Sequence, residues 1–220
     1  MKNLILITGL LYFNANAFSQ NWQWAKQVGS SYQFYGERAN SVISDGINQY
    51  LIGAFGGQLY LQNDTLNSNG NNDIFIIKYD AAGNEIWSKR LGGNYTNIDR
   101  FENARGVYDP VNNCIYVAGE FINVINFGGS MIFTSYAATQ DIFLARMDLN
   151  GNFTWVETIN GNGDESTYLQ VDPIGNVLLA GKLEDTTYFD TIKVNPGGFF
   201  ARYDSNGNCL WAKQKFSGPE

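Results

Sequence analysis

The 220-residue chain carries 14 basic and 21 acidic side chains, no histidine, and a net charge of −7. The lack of histidine excludes Ser-His and Cys-His catalytic pairs and histidine metal sites. An acidic field without a basic cluster makes nucleic acid and anionic membrane surfaces poor partners, while a hydrophobic fraction of 44% is enough to build a core.

The amino terminus reads as a signal peptide over 1–19. Lys2 supplies a small positive region, Leu4 to Phe13 an apolar run, and Ala15, Ala17 and Ser19 small residues for cleavage, leaving Gln20 first. The run is about half a membrane span, so the mature chain is expected to be secreted or periplasmic, with association to a cell surface open. No later segment has the length of a membrane-spanning helix.

From Trp24 onward the chain repeats itself. ANSVISDGINQYLIGAF (39–55), ARGVYDPVNNCIYVAGEF (104–121) and YLQVDPIGNVLLAGKL (168–183) each read as strand, tight turn, strand. Asp45, Asp109 and Asp172 open the turns. Three residues on, Asn48, Asn112 and Gly175 are types that tolerate a left-handed backbone, which predicts that conformation there.

A variable segment follows in each unit, 56–72, 122–140 and 184–196, and each is expected to add a short ribbon or loop. These are the sensible places for ligand recognition, because loops on a rigid scaffold vary cheaply.

The second hairpin is DIFIIKYDAAGNEIW (73–87), repeated as DIFLARMDLNGNFTW (141–155) and GGFFARYDSNGNCLW (197–211). Asp80, Asp148 and Asp204 begin turns that Gly83, Gly151 and Gly207 close, predicting a type I turn with a left-handed glycine. Phe75, Ile77 and Tyr79 share one strand face. Period-two alternation puts Lys78, Arg146 and Arg202 on the other, where they are expected to reach a rim.

Trp24, Trp87, Trp155 and Trp211 mark corresponding points, 63, 68 and 56 residues apart. Units of this size with four short strands each predict an all-β, β-propeller-like array of about three four-stranded antiparallel blades. The units run over about 24–86, 87–154 and 155–210, with a partial one at 211–220, inside a repeat domain over 20–220. Starting and ending on the same strand type predicts an open or truncated array.

YVAGEF and DIFLARMDLNGNFTW resemble the SBBP-type repeats of secreted bacterial β-propeller proteins, common in Bacteroidetes. The resemblance runs from about Trp24 to Trp211. It implies a propeller fold and brings no catalytic residue set with it.

The four register tryptophans read as inter-sheet packing, with a sugar platform as the alternative and Trp22 the better candidate for an exposed ring. Cys114 and Cys209 read as free buried thiols, with a disulfide as the alternative. Asp148, Asn150 and Asn152, like Asp204, Asn206 and Asn208, place oxygens at alternate positions and hint at calcium. A plain turn explains them too, because the glycine is fourth rather than sixth.

Neither GGNYTN (92–97) nor GNGDES (161–166) matches a nucleotide-binding fingerprint. Glu120, Asp164, Glu165 and Glu184 are the acids a glycosidase could use. No catalytic, cofactor-binding or metal residue is assigned. The reading is therefore a non-enzymatic secreted scaffold or binding module for a protein or polysaccharide surface. The alternatives are a carbohydrate-acting enzyme using acidic loop residues, or a structural fragment of a larger secreted protein.

Overall fold

A computed structural model describes residues 24–30, 37–93, 103–135, 139–160 and 167–214. The signal-peptide segment, Trp22, Asn94–Asn97, Asp164, Glu165 and the tail over 215–220 lie outside these residues.

The described secondary structure is strand throughout. A short β1 (Gly29–Ser30) precedes the first unit, which contains β2 (Arg38–Ser44), β3 (Gln49–Phe55), β4 (Gln58–Tyr60), β5 (Thr65–Asn67), β6 (Asp73–Tyr79) and β7 (Glu85–Leu91). The second repeats the order in β8 (Asn103–Asp109), β9 (Cys114–Ile122), β10 (Val124–Asn126), β11 (Ile132–Thr134), β12 (Gln140–Met147) and β13 (Phe153–Ile159). The third does so in β14 (Tyr168–Val171), β15 (Val177–Leu183), β16 (Thr187–Phe189), β17 (Ile192–Val194), β18 (Gly197–Tyr203) and β19 (Cys209–Gln214).

Pairing within each unit follows chain order and is antiparallel, giving the four-stranded sheets β2-β3-β6-β7, β8-β9-β12-β13 and β14-β15-β18-β19. The three sheets expected from the sequence are present, and they do not close into a ring. Each variable segment is a two-stranded ribbon, β4-β5, β10-β11 or β16-β17, and β1 adds to the first.

Two apolar cores lie between consecutive sheets. Tyr50, Ile52, Ile74 and Ile76 of the first sheet pack against Val117, Phe121, Phe143 and Met147 of the second. Tyr116, Ala118, Ile142 and Leu144 of the second pack against Val177, Leu179, Phe199 and Tyr203 of the third. A sheet has two faces and alternate residues serve them, so the middle sheet contributes to both cores and its strand β9 is buried along its whole length.

The invariant phenylalanines have a specific neighbour. Phe75, Phe143 and Phe199 pair across the ladder with Gly53, Gly119 and Gly181. A Cβ on those glycines would lie 2.6 Å from the Phe75 ring and 2.8 Å from each of the other two. The ring covers the bare backbone, which is why phenylalanine and glycine recur together.

The Asp-to-Gly turns form as expected. Gly83, Gly151 and Gly207 have φ of 81°, 87° and 92°. Their N–H groups donate to the carbonyls of Asp80, Asp148 and Asp204 at 3.0 to 3.1 Å.

The other hairpin turn differs from expectation in two units. Asn48 and Asn112 are not left-handed; Gly46 (φ 92°) and Asn113 (φ 50°) are. The side chains of Asn48 and Asn112 instead donate Nδ2–H to Asp45 and Asp109, at 3.1 and 2.6 Å. Gly175 is left-handed, with φ of 82°.

The lysine and arginine positions also differ from a simple rim. Lys78 is buried and donates from Nζ to the Leu149 carbonyl of the next unit at 2.8 Å. Arg202 pairs with Asp172, in the turn that follows β14 of its own unit.

Cys114 and Cys209 are both free thiols. They lie in or against the core between the second and third sheets, Cys114 on the second and Cys209 on the third.

Candidate functional site

In an antiparallel order of four, both hairpin turns of a unit fall at one end of its sheet and the ribbon at the other. The chemistry at the turn end is dominated by carboxylates that are already engaged. Asp148 Oδ1 accepts the N–H groups of Asn150 and Asn152 at 2.9 and 2.8 Å, and Oδ2 accepts Asn152 Nδ2 at 3.0 Å. Asp204 repeats this with Asn206 and Asn208, and Asp80 with Ala82 and Asn84.

The Asn84 amide and backbone N–H hold Asp80 below the ordinary carboxylate range. Partial desolvation works the other way at Asp148 and Asp204, yet the same bonds keep both low. Asp45 follows suit. Desolvation opposes it, but donors from Asn48, Ile47 and the Tyr50 hydroxyl bring it down to about 2. The aspartate oxygens that hint at calcium in the sequence thus face N–H donors of their own turns.

The acids nominated for glycosidase chemistry have unlike surroundings. Glu120 is buried, accepting Gln140 Nε2 at 2.8 Å and the Thr167 N–H at 3.2 Å. Glu184 is exposed beyond β15 and pairs with Lys182 at 3.5 Å. One carboxylate is a structural acceptor and the other a solvated surface charge.

The ribbons divide their residues between core and solvent. Leu59 and Leu66 seal the free face of the first sheet. Ile125 and Phe127 enter the core between the first and second sheets, and Phe189 and Val194 that between the second and third. Part of each variable segment is therefore core, and recognition is left to the outward residues, of which Tyr60, Ile132 and Tyr188 are the large exposed ones.

The sequence reading did not single out the tips of the first hairpins. Ile47, Val111 and Ile174 stand two residues after Asp45, Asp109 and Asp172, and are 72%, 56% and 70% exposed. Neighbouring tips touch: Asn112 Nδ2 donates to the Gly175 carbonyl at 3.0 Å. The signal available in the sequence was a β-branched apolar residue at the same place in three otherwise polar turns.

The register tryptophans are joints between units. Trp24 Nε1 donates to the Ala81 carbonyl at 3.1 Å, and Trp155 Nε1 to the Ser205 carbonyl at 3.0 Å. Both carbonyls belong to the residue after a turn aspartate. At the equivalent Leu149 the acceptor is taken by Lys78 Nζ, and Trp87 Nε1 is buried without a partner. Each indole also presses on a turn glycine, Trp24 on Gly83, Trp87 on Gly151 and Trp155 on Gly207. These glycines serve twice, as left-handed residues and as the floor on which a tryptophan sits.

No helix among the described residues is long and apolar enough to cross a membrane. No family model matches the chain, and no curated protein does.

Proposed function

We propose that the chain is a non-enzymatic binding scaffold of β-propeller type, of the SBBP-repeat kind, working outside the cytoplasm on a protein or polysaccharide surface. The observation that carries this reading is the row of Ile47, Val111 and Ile174. Three apolar side chains stand in solvent on turns stiffened by aspartate and asparagine. Repeated exposed apolar groups on a rigid support suit an extended or repetitive partner. The outward Tyr60 and Tyr188 stand exposed on ribbons at the other end.

A glycan array and a pull-down on insoluble polysaccharides, each with and without calcium, test the reading. The triple variant I47D/V111D/I174D should lose binding at least about tenfold with an unchanged circular dichroism spectrum, because the altered side chains are exposed. A Y60A/Y188A variant reports on the ribbon end. Binding that survives both sets of changes would remove both surfaces from consideration. Turnover of a glycan by the wild-type chain would favour the enzyme instead.

A further inference from the structure

The joint between units has a fixed grammar, and one tryptophan stands outside it. Trp24, Trp87 and Trp155 each sit on the Asp-to-Gly turn of the following unit. No turn among the described residues receives Trp211. Nothing among the described residues covers its sheet face either. Ile76 and Leu144, which occupy the same place on the first two sheets, are fully buried, whereas Phe200 is 44% exposed and packs edge-on against Trp211 at 5.2 Å.

The seat on Gly83 differs from the others. The tryptophan that fills it, Trp24, comes from a stretch outside the four-stranded sheets, joined to the ribbon by the two-residue β1. Residues 24–27 read Trp-Ala-Lys-Gln, and so do residues 211–214. Trp87 and Trp155 are followed by Ser-Lys-Arg and Val-Glu-Thr. The segment holding the first seat is thus a copy of the strand that lacks one.

The lysines agree with this. Lys26, two residues after Trp24, donates to Gln62 at the tip of the first ribbon at 3.2 Å, beside the exposed Asp64. Lys213 holds the same place after Trp211. Beyond the tryptophan the segment is less closely packed: a crevice of about 200 Å³ is lined by Lys26, Gln27 and Val28 on one side and Tyr60, Gln62 and Tyr79 on the other.

We propose that the open face of the third sheet docks on the first unit of a second copy of this chain. Trp211–Gln214 of one copy takes the place that Trp24–Gln27 holds in the other. Trp211 lands on the Gly83 turn, its Nε1 donates to the Ala81 carbonyl, and Lys213 meets the acidic ribbon tip at Asp64. The contact is head to tail, so it propagates unless it closes. Two copies joined at both ends make six sheets, within the four to eight that close a ring, and the expected product is a dimer. Trp24 is a competitor for the joint, tethered in the same chain.

Sedimentation of the purified full chain over a concentration series tests this, because the two tryptophans have opposite roles. Trp211→Ala should weaken dimerisation about tenfold or more, and Trp24→Ala should strengthen it by freeing the seat. Two tryptophans that merely stabilise the fold would not shift association in opposite directions. If either variant folds poorly, mixed-copy cross-linking replaces it: a K213C chain and a D64C chain should form a disulfide-linked pair under mild oxidation. A wild-type chain that stays monomeric at millimolar concentration, or no cross-link between the mixed copies, overturns the proposal. A ladder of larger head-to-tail species supports the joint and overturns the closed six-sheet ring.

Discussion

Trp155 and Gly207 meet across the boundary between the second and third sheets, with indole Cδ2 3.2 Å from where a Cβ on Gly207 would lie. Gly207 has φ of 92°, a value shared by Gly46, around which there is open space. Two glycines with the same φ thus differ in what stands over them.

That contrast isolates the contribution of the joint. Gly46→Ala should cost about 1 kcal/mol, the penalty of a left-handed residue with a side chain. Gly207→Ala should cost that plus the displacement of Trp155, about 2–4 kcal/mol in all. Urea denaturation of both variants measures the difference. Equal losses would mean that Trp155 does not rest on the turn.

Lys78 and Trp87 compete for one carbonyl. Lys78→Met removes the bond to the Leu149 oxygen, a loss of about 1–3 kcal/mol if the oxygen stays empty. The indole N–H of Trp87 is unpartnered in the same joint, and the equivalent Trp24 and Trp155 bond to the equivalent carbonyls. Trp87 should therefore take the vacated acceptor and hold the loss to the lower end. Slower exchange of the Trp87 indole proton in the variant, followed by NMR, is the expected signature; faster exchange would show that the oxygen went unfilled.

Gly106 lets the second sheet approach the first. A Cβ there would lie 2.5 Å from Ile52 Cδ1 and 2.7 Å from Ile43 Cδ1, beside the bond from the Gly106 N–H to Ser41 Oγ at 3.0 Å. Gly106→Ala should destabilise by about 1–3 kcal/mol through overpacking. Ile52→Val deletes the nearer methyl, so the double variant should recover part of that loss. A double-mutant cycle in urea gives the coupling, and a value near zero would place the strain elsewhere.

Asp45 makes stability depend on acid. Its carboxyl lies at about 2 in the folded chain against an ordinary 3.8, held there by donors from Asn48, Ile47 and Tyr50 despite partial desolvation. A depressed acid contributes stability that is fully present above the unfolded value and is lost as pH falls from about 5 toward 2. Asp45→Asn should flatten the fall in melting temperature over that window. An unchanged slope would assign the acid sensitivity to the other turn aspartates.

The sequence disclosed strands and turns far better than it disclosed neighbours. DIFIIKYDAAGNEIW shows its turn because only a few residue types suit that backbone, and the Asp-to-Gly hairpins stand where the spacing puts them. The opposite faces of Ile77 and Lys78 follow from period two. Which sheet each face meets does not, because alternation carries no information about partners. The glycine at Gly83 therefore read as a turn residue alone, although Trp24 also requires it. Asn48 and Asn112 read as left-handed because asparagine tolerates that conformation, whereas here their amides bond to aspartate. The variable segments read as short ribbons or loops, and they are ribbons; that part of each would enter a core was not legible, because their wording varies. Their buried residues, such as Phe127 and Phe189, show how different wording fills the same kind of gap. The exposed Ile47, Val111 and Ile174 were overlooked because an apolar residue in a strand-rich chain is ordinarily assigned to a core.

The tryptophan joint also bears on how such a chain can change length. Every unit brings one protruding indole and one glycine floor, so each is both plug and socket. Duplicating a stretch of DNA that encodes one unit adds a plug and a socket together and leaves neither unmatched. Deleting a unit removes one of each. A chain built this way can be lengthened or shortened by recombination in whole steps without any new contact having to arise by point mutation.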